Sequence, residues 1–333
     1  MSWLYLALCI VVIGFAGARL SRYGDVIAEK TGLGRSWVGL VLLATVTSLP
    51  ELVTGLSAVT IADVPDIAVG DVLGSCVFNL GILVVVDFLH RDEPVYTRAS
   101  RGHILSAGFG VILIGLVGAS IVLAHFGALP AIGHVGLYSP LIVIIYLVAM
   151  NMVFHYEKRE MAEFVEESAE RYPDIGLRRA LAGYALAGAF VVAAGTWLPF
   201  IGADIAEEMG WHKSFVGTLL VAAATSAPEI AVTLAAVRIG ALDMAIANLF
   251  GSNLFDILIV AIDDLFYLKG PILSHVSPVH AISALSAIIM TGVATVGLFY
   301  RPTARLASTV GWISISLLAL YLFNSYVLFR HGA

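Results

Sequence analysis

The chain has 333 residues, 59% of them hydrophobic and 13% charged, with a mean hydropathy of +0.94. Soluble domains carry about 25% charged residues, so the composition excludes a soluble globular protein and predicts an all-α protein of the lipid bilayer. The formal charge of −6 is too small to point to any partner, and no nucleic-acid partner is expected.

Apolar runs near or above the ~18–20 residues that cross a bilayer recur along the whole length. Hydropathy predicts ten helices, at roughly 3–19, 35–61, 67–89, 104–124, 135–155, 179–198, 213–238, 243–267, 277–299 and 306–328. The segments are long and continuous and do not alternate at period two, so spanning strands are excluded. The first segment has no basic flank and no clear cleavage site, and is expected to be a retained helix rather than a signal peptide. Cys9 and Cys76 both lie inside apolar segments, which argues against a disulfide framework. Fifteen of the 18 Lys and Arg fall on one side of this ten-helix scheme, and only Lys213, Lys269 and Arg330 on the other. By the positive-inside rule both termini then face away from the cytoplasm. The long loop 157–179 is expected to be a cytoplasmic, mostly helical, solvated acidic linker.

The two halves align with each other. At an offset of 178, "GLGRSWVGLVLLATVTSLPEL" (32–52) matches "GWHKSFVGTLLVAAATSAPEI" (210–230), so that Thr47, Ser48, Pro50 and Glu51 fall on Thr225, Ser226, Pro228 and Glu229. At an offset of 177, "DIAVGDVLGSCVFNLGILVVVDFL" (66–89) lies on "DMAIANLFGSNLFDILIVAIDDLF" (243–266), and His103 on His280. Each half has five predicted helices, an odd number, so the second enters the membrane from the opposite side. The expectation is two inverted repeats, residues 1–155 and 179–333, joined by a linker over 156–178, with a site near the midplane where they meet.

Pro50 and Pro228 interrupt helices 2 and 7 and free carbonyls about one turn earlier, near Ala44 to Val46 and Ala222 to Ala224. Beside them stand the hydroxyls of Thr47, Ser48, Thr225 and Ser226 and the carboxylates of Glu51 and Glu229. On helices 3 and 8, Asp71, Ser75 and Asn79 form one stripe and Asn248, Ser252 and Asp256 its counterpart. Carbonyl, hydroxyl and carboxylate oxygens suit Na⁺ and Ca²⁺ rather than softer metals. Each ionised acid at the bilayer centre costs at least ~2.5 kcal/mol. Glu51, Glu229, Asp256 and Asp71, with no Lys or Arg inside the central spans, would together cost about 10 kcal/mol. Bound cations or protons must offset most of that. Asp87 and Asp264 are expected to be structural or interfacial, His103 and His280 interfacial caps, and Asp66 and Asp243 favourable charges at helix N-termini. Gly14, Gly17 and Gly195 would permit helices 1 and 6 to approach and slide, though packing alone explains them as well.

At "TSLPE" with "GSCVFN", and again at "TSAPE" with "GSNLFD", the chain resembles the cation/calcium exchanger superfamily, and within it the prokaryotic sodium/calcium exchangers. The resemblance covers essentially the whole chain. It implies a secondary antiporter with no cofactor that exports Ca²⁺ in exchange for Na⁺, in a prokaryotic plasma membrane with both termini extracellular. It implies Glu51, Glu229, Asn79 and Asp256 as Ca²⁺ ligands. Thr47, Ser48, Thr225, Ser226, Ser75, Ser252 and the carbonyls of Ala44 and Ala222 would serve Na⁺. Helices 1 and 6 would slide against the other eight. Val46 and Ala224 replace a frequent Gly. Asp71 and Cys76 stand where the family pattern has Asn, and the extra acid bears on stoichiometry, proton coupling and the choice of divalent. A proton-coupled or Mg²⁺/Mn²⁺ antiporter on the same fold is the nearest alternative. An ion channel is argued against by the inverted repeat with occluding sites. No enzymatic activity is expected, since there is no H-E-x-x-H and no Ser–His pair at matched depth.

Overall fold

The computed structural model describes residues 1–31, 46–89, 95–100, 102–162, 174–238, 242–302, 305–306 and 310–331. Helix α1, Ser2–Lys30, runs well past the apolar segment because "SRYGDVIAEK" continues it as an amphipathic extension. Helix α2, Leu49–Ser57, passes directly into a π-helical turn, Ala58–Ala62. Asp63 stops it in the left-handed region at φ 55°. Pro65 then opens α3, Pro65–Leu89, at a position where its missing N–H is not needed. The part of the second predicted helix that precedes Val46 lies outside the described residues.

Helices α4, His103–His125, and α5, Tyr138–Ala162, follow, joined through a short hairpin of β1, Ala131–Ile132, and β2, Val135–Gly136. Helix α6, Leu177–Met209, carries Pro199 in its interior, outruns its predicted end by eleven residues, and closes on Gly210 at φ 66°. Helix α7 has two arms, Lys213–Thr225 and Ala227–Arg238, bent by 46° where they meet. Helices α8, Leu242–Phe266, and α9, His280–Tyr300, lead to a second hairpin, β3, Arg305–Leu306, with β4, Val310–Gly311, and to α10, Trp312–His331. These hairpins are the only strands among the described residues. β1 lies in a loop, but β2, the end of β3 and β4 take up the first residues of the fifth and tenth predicted helices, which begin later, at Tyr138 and Trp312. The predicted linker is helical at both ends, through Ala162 and from Leu177, and residues 163–173 lie outside the described ones.

Among the described residues, eight helices are long and apolar enough to cross a membrane, and the bent pair that forms α7 makes a ninth. The protein is a multi-pass integral membrane protein. Helices α3 and α8 are the most buried spans, with 67% and 78% of their apolar windows inside the protein against 28% for α5 and α10, so they form the centre. They pack on each other. On one side α4 and α9 pair across them, with α5 against α8 and α10 against α3; on the other, α1 and α6 lie along each other and over α7 and α2 respectively. Helix α3 crosses the first arm of α7 at backbone distance. A Cβ at Gly74 would lie 2.7 Å from Thr218 Cα and 2.8 Å from Ala222 Cβ, so only glycine permits the crossing. That contact brings the face of α3 bearing Asp71 and Ser75 beside the break in α7.

Candidate cation site

Both breaks form where the sequence places proline. Proline lacks the N–H that would bond the carbonyl four residues earlier. Ser48, at φ −88° and ψ 16°, leaves helical geometry immediately before α2, and Ser226, at φ −77° and ψ 10°, separates the two arms of α7. The groups without a helical donor are therefore the carbonyls of Val46 and Ala224. The carbonyl of Ala222 is engaged: Ser226 N donates to it at 3.0 Å, and Thr225 Oγ1 lies 3.2 Å away. Pro228 removes the bond to residue 224, and the Thr225 hydroxyl lies beside the carbonyls of the preceding turn, 3.2 Å from each, rather than over that of Ala224. Ala44 lies outside the described residues.

The side chains picked out by sequence converge. Thr47, Ser48, Glu51, Asp71, Ser75, Asn79, Thr225, Ser226, Glu229, Ser252 and Asp256 are all buried, none more than 1% exposed. Most of their contacts cross between the halves. Ser226 Oγ lies 3.2 Å from Glu51 Oε1 and 3.0 Å from Ser75 Oγ. Ser252 Oγ lies 3.5 Å from Glu229 Oε1 and 3.3 Å from Thr47 Oγ1. The shortest bond in the cluster runs from Thr225 Oγ1 to Asp71 Oδ1, at 2.8 Å. Asn248, the counterpart of Asp71, turns instead to Thr233, with its Nδ2 3.4 Å from Oγ1.

Many acceptors are left over. Among the described residues, Glu51 Oε2, Glu229 Oε2, Asp71 Oδ2, both carboxylate oxygens of Asp256 and Asn79 Oδ1 have no hydrogen-bond partner, and neither does Ser48 Oγ. Burying an ionised carboxylate without a partner costs several kcal/mol, and no Lys or Arg pairs with these acids among the described residues. Unsatisfied hard oxygens around breaks in two helices are donors for a cation. Among the described residues no three His, Cys, Asp or Glu side chains draw together as a metal centre. A cation here would accordingly be held by a mixed set of carboxylate, amide and hydroxyl oxygens.

Asn253, which falls on Cys76 at the offset of 177 and is not among the residues picked out by sequence, orients the site. Its Oδ1 accepts from Asn79 Nδ2 at 3.0 Å and its Nδ2 donates to the Cys76 carbonyl at 3.3 Å, which turns Asn79 Oδ1 free. Cys76 offers only a thiol, 3.9 Å from the Asn253 carbonyl, so it supplies no amide of its own. The visible signal was the asymmetry of "GSC" against "GSN".

Asp87 and Asp264 are structural, as expected. Asp264 accepts from Gly136 N, Tyr138 Oη, Ser139 Oγ and Ile272 N at 2.5–2.9 Å, fastening the first hairpin and the start of α5. Asp87 does the same for the second hairpin through Gly311 N and Ser314 Oγ. Lys269 pairs with Asp63 at 2.5 Å rather than with Asp264, and that hydrogen bond raises the pKa of its exposed ammonium. His103 and His280 make no side-chain cap on their own helices; they reach Asp243 at 2.9 Å and Asp66 at 3.1 Å, tying α4 to α8 and α9 to α3.

Known proteins resemble this arrangement. The inner membrane protein YrbG of Escherichia coli (strain K12) is 24% identical over 262 residues, covering 77% of this chain and 78% of that protein. A structure of the sodium-calcium exchanger NCX_Mj superposes with a TM-score of 0.60 at 21% identity, over 98% of each chain. The crystal structure of the H⁺/Ca²⁺ exchanger CAX does so at 0.66 and 14% identity, over 98% of this chain and 81% of that one. Likeness at these identities speaks for the fold. A family profile described as sodium/calcium exchanger protein matches residues 1–150 and 179–329, a range that includes every buried acid and hydroxyl of the cluster, and the chain belongs to that family.

Proposed function

We propose that this antiporter exports Ca²⁺ in exchange for Na⁺, through one midplane site that holds either a divalent ion or several Na⁺. The observation that carries the reading is the set of buried, unpartnered oxygens on Glu51, Glu229, Asp256 and Asn79, gathered without a basic residue among those described. Ca²⁺ would take those four residues, whose three carboxylates would have to close in from their present spacing, since no three acids form a metal centre among the described residues. Na⁺ would take oxygens of Thr47, Ser48, Ser75, Thr225, Ser226 and Ser252, with carbonyls freed at the breaks. The chain is read as ten spans in two inverted repeats, 1–155 and 179–333, with both termini outside a prokaryotic plasma membrane. The paired breaks and crossed contacts of α2, α3, α7 and α8 support that arrangement. Coupling follows from charge: an anionic cluster without its cations is too costly to expose to the low-dielectric barrier, so α1 and α6 move only over a filled site.

A proton-coupled exchange is the second reading, favoured by one observation. Thr225 Oγ1, one of the hydroxyls that Na⁺ would need, is engaged by Asp71 at 2.8 Å. The deciding experiment is Ca²⁺ efflux from proteoliposomes into medium with or without Na⁺, repeated with a proton gradient and with Mg²⁺ or Mn²⁺ inside. Efflux that requires external Na⁺ is expected; efflux driven equally by protons alone defeats the sodium reading. In the same assay Asp71→Asn is expected to keep a folded protein while changing the Na⁺ dependence or the preferred divalent. Unaltered stoichiometry and selectivity in that variant would remove Asp71 from the mechanism.

A further inference from the structure

Asp263 is an acid for which neither the fold nor the central cluster accounts. It lies on α8 seven residues beyond Asp256, is 1% exposed, and its Oδ1 has no hydrogen-bond partner among the described residues. Its neighbour Asp264 collects four donors and fastens the hairpin, so the structural duty at this end of α8 is already discharged. Asp263 points instead across to α2. There its carboxylate rests on the bare Cα of Gly55: a Cβ at that position would overlap Asp263 Oδ2 and lie 2.8 Å from Oδ1. Glycine leaves room for this carboxylate and for little else.

Two more unsatisfied groups occur at the same end of the cluster. Thr54, adjacent to Gly55, is fully buried and its hydroxyl has no partner among the described residues. Asp71, four residues before Ser75 and so nearer the end of α3 that follows α2, is fully buried with Oδ2 unpartnered and within electrostatic reach of Asp263. Toward the opposite membrane face the matched positions hold Asn248 and Val86, neither of them an acid. Buried acids without a structural duty thus extend toward one face, the one at which α2 ends and α3 begins, while Asp87, buried toward the other, fastens the second hairpin.

We propose that Asp263, with Asp71, forms an outer cation station between the central cluster and that face, where a hard cation dwells as it enters or leaves. The proposal rests on the reading that the central cluster carries cations. It gives the pathway a polarity that a symmetric pair of repeats lacks. A cation approaching from that side meets a carboxylate before reaching Glu51 and Asp256, and one approaching from the other side does not.

The test uses the full chain in proteoliposomes of determined orientation, with the half-saturating Ca²⁺ concentration measured from each face. Asp263→Asn is expected to raise it by at least about fivefold from the face where α2 ends, the loss of one unit charge near the ion, and to leave the other face unchanged. Gly55→Ala keeps the charge but displaces the carboxylate, and is expected to give the same one-sided change. Equal changes at both faces, no change at either, or altered pH dependence with unaltered Ca²⁺ saturation would each overturn the station; the last would make Asp263 a proton site. Equilibrium dialysis of detergent-solubilised protein against Ca²⁺ supplies a readout free of transport. There the parent protein is expected to show a second, weaker class of site that both variants lack, and a single class in the parent counts against the proposal. Two classes of site in a parent that exchanges no Ca²⁺ across liposomes would instead defeat the antiport reading and leave the station standing.

Discussion

Glu51→Gln and Glu229→Gln are each expected to abolish Ca²⁺ exchange while leaving the protein folded. Each glutamate has one oxygen near a serine hydroxyl, Ser226 or Ser252, and one oxygen with no partner among the described residues. Glutamine preserves the shape and one acceptor, so packing around the break survives. What disappears is a full negative charge against a divalent ion. Two unit charges 4 Å apart at an effective dielectric of 20 interact by about 4 kcal/mol, and a divalent ion doubles that. Since each 1.4 kcal/mol is a factor of ten, affinity falls by at least about a hundredfold even after generous discount for rearrangement. Without bound ion, the variants should be no less heat-stable than the parent, because a buried unpaired charge has been removed. Tracer flux in proteoliposomes, with a thermal melt of the same preparations, tests both halves of this expectation. A well-folded glutamine variant that retains more than about a tenth of the flux would contradict the assignment.

The central cluster was legible because two independent signals coincide there. Periodicity places Asp71, Ser75 and Asn79 on one stripe, and the repeat supplies the facing stripe and the matched breaks. Asp263 was invisible to the second signal, since Val86 stands opposite it, and it sat beside Asp264, whose position at the end of a span suggested the interface. The role of Asn253 needs coordinates, because an amide can turn either way and only its contact with Asn79 fixes which. The bond to the Ala222 carbonyl is the ordinary helical one from Ser226 N; a proline at 228 takes the donor from the carbonyl of Ala224 and leaves that of Ala222 paired. Hydropathy also ends α1 and α6 too early. It registers the apolar stretch, while the helices continue as amphipathic turns beyond it. Composition carries the membrane class, and spacing carries the site; the small hairpins that Asp87 and Asp264 fasten have no pattern of their own.

Gly17→Val should stop turnover without emptying the cation site. Gly17 on α1 and Gly195 on α6 occupy matched positions, 178 residues apart, yet they meet their neighbours at different levels. A Cβ at Gly17 would overlap the Pro228 ring. A Cβ at Gly195 would lie 3.2 Å from Val53 Cγ1 and 3.3 Å from Thr54 Oγ1, three to four residues beyond the equivalent Pro50. Three to four residues are one helical turn, about 5 Å along the axis. If the halves are inverted repeats, exchanging these two registers generates the opposite-facing state: Gly195 then rests on Pro50, and Gly17 on Ala231 and Val232. Each glycine must therefore accommodate a proline ring in one state. Valine at residue 17 excludes the present packing, because a pyrrolidine ring cannot yield as a flexible side chain would, and an overpacked contact of this kind costs about 1–3 kcal/mol or more. Valine at residue 195 is milder here and blocks the exchanged state instead. Both variants are expected to bind Ca²⁺ in detergent and to lose at least about tenfold in flux, with the residual binding accessible from opposite faces in the two cases. Normal flux in Gly17→Val, or trapping of both variants on the same face, would show that the difference in register is not the switch.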